Sequence, residues 1–170
     1  MSEQQNQIST NAIELSTFNE GMKPMKELMD ALYVQANALL EDDPLQLQEK
    51  LTLFGQIYEI AGDFEAEATG LWKLHYAYRQ ETHASAYMKR TKTRPTDPNE
   101  TPRNLTGKER DAIAERATFT YRRLEAEYER LSLKWANRKK AILEQINIMK
   151  RKQDGQLALW GKANYVNGYS

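Results

Sequence analysis

The sequence predicts an all-α protein: a long, coiled-coil-like antiparallel two-helix hairpin preceded by a short N-terminal helix. Three observations carry that prediction. Apolar residues recur at steps of three and four along most of the chain, the signature of one buried helical face. Three of the five prolines fall within residues 91–105, leaving long proline-free segments on either side. Hydrophobic residues make up 40% and charged residues 28%, a balance that suits helices with one apolar stripe better than buried sheets.

In chain order, residues 1–20 are polar without a sustained period and read as a flexible tail. Met25, Leu28, Met29, Leu32, Ala36, Leu39 and Leu40 then mark a short amphipathic helix over about 24–41. Asp43 is placed to cap the next helix, with Pro44 at its first position and Gln46 three residues after the cap. Leu47, Leu51, Phe54, Tyr58, Ala61, Ala68, Trp72, His75 and Arg79 carry that second helix over 44–90. Gly costs about 1 kcal/mol relative to Ala inside a helix. Gly55, Gly62 and Gly70, with Ala66, are therefore read as a face where another helix packs closely; the alternative is a break at Gly62 or Gly70.

Residues 91–105 form the loop, and Thr106 with Glu109 makes a capping box that opens a third helix over 106–153. Its stripe, Ile113, Ala117, Tyr121, Leu124, Tyr128, Leu131, Trp135, Arg138, Ile142, Ile146 and Met149, never departs from steps of three or four. Residues 154–170 remain as an aromatic C-terminal tail, and the helical part, 21–153, reads as one domain. The two long helices match at about 47 residues, roughly 70 Å each at 1.5 Å per residue. A hairpin of that length leaves apolar surface that a second subunit would cover, so an oligomer is expected.

The formal net charge of zero hides an asymmetry. Residues 1–70 hold 13 acidic and 3 basic side chains, a net of −10, and residues 71–170 hold 11 and 21, a net of +10. Antiparallel folding would set Glu49, Glu59 and Asp63 alongside Lys134, Arg138, Lys139 and Lys140. No run of 18 apolar residues spans a membrane, and the N-terminus lacks a signal-peptide pattern, so a bacterial or phage-infected cytosol is the expected compartment.

Catalytic and metal-binding patterns are missing from the sequence. With no cysteine there is no thiolate site, and His75 and His83 stand eight residues apart, not the four of a helical metal pair. His75 falls on the apolar stripe and reads as a hydrogen-bonded core histidine. Neither a phosphate-cradling glycine loop nor a Glu-x-x-His pair is present, so no enzyme activity, cofactor or metal is expected.

The basic segment is the functional lead. Lys89, Arg90, Lys92, Arg94, Arg103, Lys108 and Arg110 gather at the hairpin tip, diluted by Asp97, Glu100, Glu109 and Asp111. Arg122, Arg123, Arg130, Lys134, Arg138, Lys139, Lys140, Lys150, Arg151 and Lys152 follow along the third helix. Spaced cations can track a phosphate backbone, and Tyr76, Tyr78 or Tyr87 could stack unpaired bases; alternatively, the cations are a solvated face balancing the acidic half. In the tail, Leu157, Leu159, Trp160, Tyr165 and Tyr169 form either a partner anchor or a strap packed back on the hairpin.

The stretch from Leu105 to Lys152 opens on Thr-x-x-Glu-Arg, runs through alanine-rich turns and Tyr121-Arg-Arg-Leu-Glu-Ala-Glu-Tyr128 to Trp135, and closes on Ile146-x-x-Met-Lys-Arg. It resembles small helical proteins of bacteriophage replication and recombination cassettes, and its plan is similar to that of UvsY-type recombination mediators. The resemblance implies a cytosolic oligomer that binds single-stranded DNA and helps load a recombinase. Two functional readings stay open: a DNA-metabolism accessory of this type, or a protein-binding module without a DNA role, such as a phage inhibitor of a host defence or replication enzyme, or a scaffold. In the second, the acidic half would imitate nucleic acid.

Overall fold

A computed structural model describes residues 3–89, 91–92 and 101–167, with side chains described over 15–89, 91–92 and 101–159. The all-helical prediction holds. Four helices follow one another: α1 (Glu3–Ala38), α2 (Pro44–Lys89), α3 (Gly107–Ala117) and α4 (Phe119–Asn167). Among the described residues the only β pairing is an isolated antiparallel bridge between Lys92 and Asn104. The chain divides into two compact units, unit 1 from Met1–Ser16 with Glu67–Ser132 and unit 2 from Thr17–Ala66 with Leu133–Ser170.

Helix α1 begins at Glu3, inside the segment the sequence reads as a tail, and it carries Pro24 in its interior. The tail reading is corrected: the first twenty residues hold neither glycine nor proline, and Ile8, Ala12, Leu15 and Phe18 carry the steps of three and four back from Met22 and Met25. Its buried face is Met29, Leu32 and Ala36; Leu28 and Leu40, assigned to the stripe from spacing, are exposed. At the start of α2 the Leu45 N–H donates to Asp43 Oδ1 at 2.9 Å, and this bond, first among several, lowers the Asp43 pKa. Gln46 departs from a capping box: its amide donates to Asp43 Oδ2 and its oxygen accepts from the Leu40 N–H.

Helix α2 continues unbroken through Gly62 and Gly70. In unit 2 its buried face widens beyond the predicted stripe, because Ile57, Ile60 and Phe64 are buried along with Leu47, Phe54 and Ala61. These residues cover about 140° of the helix circumference at 3.6 residues per turn. They form one core with Met29, Leu32 and Ala36 of α1 and Trp135, Ile142, Ile146 and Met149 of α4. Burying each large aliphatic or aromatic side chain contributes about 1.5–3 kcal/mol. At the centre Phe64 stacks on Trp135, centroids 4.1 Å apart and 7° from parallel. The predicted close-packed glycine face is corrected here. A Cβ added at Gly55 or Gly70 meets nothing within 4 Å, one at Gly62 meets the Lys139 side chain of α4 at 3.9 Å, Ala66 is exposed, and the buried small residues are Ala61 and Ala68.

The third predicted helix is two. Thr118 separates α3 from α4, fully buried, with its hydroxyl donating to the Glu115 carbonyl at 2.9 Å. A threonine bonding back to its own preceding turn competes with the helix ladder and bends it. Ala117, placed on the stripe by spacing, is exposed, and Ala114 and Thr118 are buried in its stead. The core of unit 1 combines them with Ala68, His75, Leu124, Tyr128 and Ser132. His75 stacks on Tyr128 at 5.2 Å and 5°, as a core histidine. Nearby, Thr69 and Ser132 share a 2.7 Å hydrogen bond and Arg79 pairs with Glu125 at 2.6 Å. Helix α4 does not stop at Asp154-Gly155 but extends to Asn167, so the predicted C-terminal tail is helical as far as it is described.

The ion pairs of unit 2 differ from those expected. Glu49, Glu59 and Asp63 are exposed and enter no ion pair among the described residues. Glu65 instead pairs with Lys139, and Lys152 bridges Asp42 at 2.9 Å and Glu41 at 3.5 Å. Hydrogen bonding to Glu65 raises the Lys139 pKa, and bonding to Asp42 foremost raises that of Lys152. The buried Lys50 amine reaches Glu41 at 3.1 Å and lowers its pKa. Arg138 lies over the rings of Trp135 and Tyr33, at 5.3 and 5.6 Å.

Candidate nucleic-acid interface

The basic tip belongs to unit 1, where the chain leaves α2 and returns into α3. Two contacts close the neck of the intervening loop: the Lys92–Asn104 bridge and the Leu105 N–H donating to the Thr91 carbonyl at 2.8 Å. Thr106 then starts α3 with the complete capping box that its spacing predicts, its backbone N–H donating to Glu109 Oε2 at 2.8 Å.

The structure sorts the predicted cations into two groups. Arg110 is committed to the fold: its Nε and one terminal nitrogen donate to the Tyr87 carbonyl at 2.9 and 2.7 Å, with the guanidinium 4.1 Å over the Tyr87 ring. It thereby satisfies a carbonyl in the last turn of α2 that the helix itself leaves open. Arg103 forms a fork on the Glu109 carboxylate, one arm at 2.9 Å. That fork, ahead of the Thr106 N–H and hydroxyl, holds the Glu109 pKa at about 2. Lys89, Lys92 and Lys108 are the other group, exposed and in no ion pair among the described residues. Arg90 and Arg94 lie outside the described residues.

Tyr87 is covered by Arg110, while Tyr76 lies 5.2 Å beneath the Arg79 guanidinium. Tyr78 is 43% exposed and sits beside Tyr121 of α4, ring centroids 5.7 Å apart at 51°. These two rings flank an open cleft of about 510 Å³ lined also by Glu81, Thr82, Ser85, Ala86 and Lys89. The α2 members recur at steps of three and four, which sets them on one helical face. His83 lies 3.9 Å from Asp111 and 3.8 Å from Glu115 of α3. Tyr121 and Glu81 were not picked out as site residues from the sequence. Tyr121 fits the apolar stripe, and the only signal was a Tyr–polar–Lys series sharing one face of α2.

No family model, curated protein or solved structure matches this chain.

The predicted partner anchor lies in unit 2. Leu157 is exposed on α4, while the side chains of Trp160 and Tyr165 lie outside the described set. Gln156 donates to the Glu41 carbonyl at 3.0 Å, which brings this segment against the α1–α2 turn. Leu40, Leu45 (82% exposed), Leu157 and Leu159 therefore stand exposed at the same end of the unit. Among the described residues no helix is long and apolar enough to cross a membrane.

Proposed function

We propose that the chain is a non-enzymatic, phage-type accessory protein of DNA metabolism that binds single-stranded DNA at the loop neck of unit 1. A recombination or replication protein is its second partner, in the cytosol of an infected cell. The supporting observation is the sorting of charge at the neck. Arg103 and Arg110 are consumed by the fold, whereas Lys89, Lys92 and Lys108 remain uncommitted around one loop. Cations without structural partners release counterions when phosphates replace their solvent, so they favour a polyanion regardless of its sequence. In the same reading α2 and α4 make one long antiparallel hairpin, and the chain acts as a homo-oligomer.

Fluorescence anisotropy of a labelled single-stranded oligonucleotide across a salt series tests the DNA role. The reading expects log affinity to fall linearly with log salt. Reversing Lys89, Lys92 and Lys108 to Glu is expected to weaken binding and flatten the slope by about 2, at roughly 0.7 per phosphate contact. Unchanged affinity after the triple reversal removes the role from the neck.

The four exposed leucines of unit 2 favour a second reading, a protein-binding module without DNA. Capture of one partner from lysate, unaffected by nuclease and lost in Leu45→Glu, would support it over the first.

A further inference from the structure

We infer that the cleft lined by Tyr78 and Tyr121 is a base-binding subsite that takes one unpaired nucleobase carrying an exocyclic amino group, with a phosphate of the same strand on Lys89. The inference rests on the single-stranded DNA reading and adds what the cleft recognises.

The cleft, about 510 Å³, is wide enough for a nucleobase and open enough for the strand to continue out of it. Its ring centroids are 5.7 Å apart and tilted by 51°, too close and too inclined for a base to slide between them as a sandwich. A base would instead lie on the exposed face of Tyr78, with Tyr121 against its edge. Stacking of this kind accepts any base, because every base has a π face.

Selectivity comes from the polar wall. Glu81 is exposed and lines the cleft with Thr82 and Ser85. An ionised carboxylate only accepts hydrogen bonds. It pairs with an amino group, such as N4 of cytosine, and repels the carbonyl oxygens of thymine. The hydroxyls of Thr82 and Ser85 donate or accept, so they do not oppose either base. Lys89, two turns beyond Thr82 on the same face, completes the site as the one cation among the described lining residues. A stacking ring and an acceptor for the base edge thus lie on adjacent turns of α2, with a cation for the phosphate about two turns further along. A duplex buries the base face in its stack, so the same site disfavours double strands.

Anisotropy titrations of the full chain near neutral pH, with oligocytidine, oligothymidine and an abasic backbone of equal length, test this directly. The expected order is cytidine tightest, thymidine roughly fivefold to tenfold weaker, and the abasic strand weakest. Glu81→Gln should bring cytidine and thymidine together, and Tyr78→Leu should bring both towards the abasic strand while leaving the salt slope intact. Far-UV circular dichroism melts of each variant separate lost folding from lost binding. Equal affinity for all three strands with a persisting salt slope overturns the subsite and leaves the backbone reading standing. Cytidine selectivity that survives Glu81→Gln in a folded protein also overturns it. No binding to any strand overturns both.

Discussion

Glu109 shows how a single side chain can be held by partners that are local in sequence. Its carboxylate takes the Arg103 guanidinium and the Thr106 N–H and hydroxyl, and its pKa falls from the ordinary 4.5 to about 2. A carboxyl with a folded pKa below its unfolded value adds stability above the unfolded value. That contribution drains away as pH falls from 4.5 to about 2. Glu109→Gln should therefore unfold at lower urea than the parent near neutral pH, and the gap should close across that acid window. A gap that stays constant down to the bottom of the window would mean that the charge is not what matters. The size of the effect is modest, because the pair is exposed and screened by solvent. The capping box could be read from sequence because its members lie three residues apart. The commitment of Arg110 could not, since its acceptor is a carbonyl 23 residues away on another helix. For the same reason the sequence pooled Arg103 and Arg110 with Lys89, Lys92 and Lys108, and only the fold separates them.

At the level of the helices, the apolar period located most of the buried faces. Leu47, Phe54, Ala61, Ala68 and His75 on α2, and Leu124, Tyr128, Trp135, Ile142, Ile146 and Met149 on the C-terminal helix, are buried as the spacing indicates. The ends and the break were not legible. The first turns of α1 were missed because their period, Ile8, Ala12, Leu15 and Phe18, is thinly spread through a polar stretch. Thr118 sits beside a stripe that passes smoothly over it, and the break there coincides with a side-chain hydrogen bond that spacing does not encode. The α2 glycines misled because their entropic cost suggested a packing reason, and the space around Gly55 and Gly70 contains none. Gly55→Ala and Gly70→Ala should accordingly each raise stability by about 0.5–1 kcal/mol, by restricting the unfolded chain and adding no clash. Thermal melts of the two single variants measure this, and a lowered midpoint at either would reveal a neighbour that the fold does not display.

For the molecule as a whole, formal neutrality arises from opposite halves, −10 over residues 1–70 and +10 over 71–170. Two lysines of the basic half reach into the acidic one, Lys152 to Glu41 and Asp42 and Lys139 to Glu65, while Glu49, Glu59 and Asp63 stay exposed. The exposed Leu40, Leu45, Leu157 and Leu159 underlie the proposed self-association. Light scattering should then give a mass above the 19.7 kDa of one chain. Leu45→Glu with Leu159→Glu should return it to one chain while helicity is kept. A parent that already runs as a single chain would remove the oligomer from the proposal. The pinched neck at Lys92 and Asn104 has a practical outcome of its own. Each unit draws partners from both sides of the loop, Phe64 with Trp135 in one and His75 with Tyr128 in the other. Nicking the backbone between Lys92 and Asn104 would yield two fragments that reassociate without a covalent tether, a ready-made complementation pair.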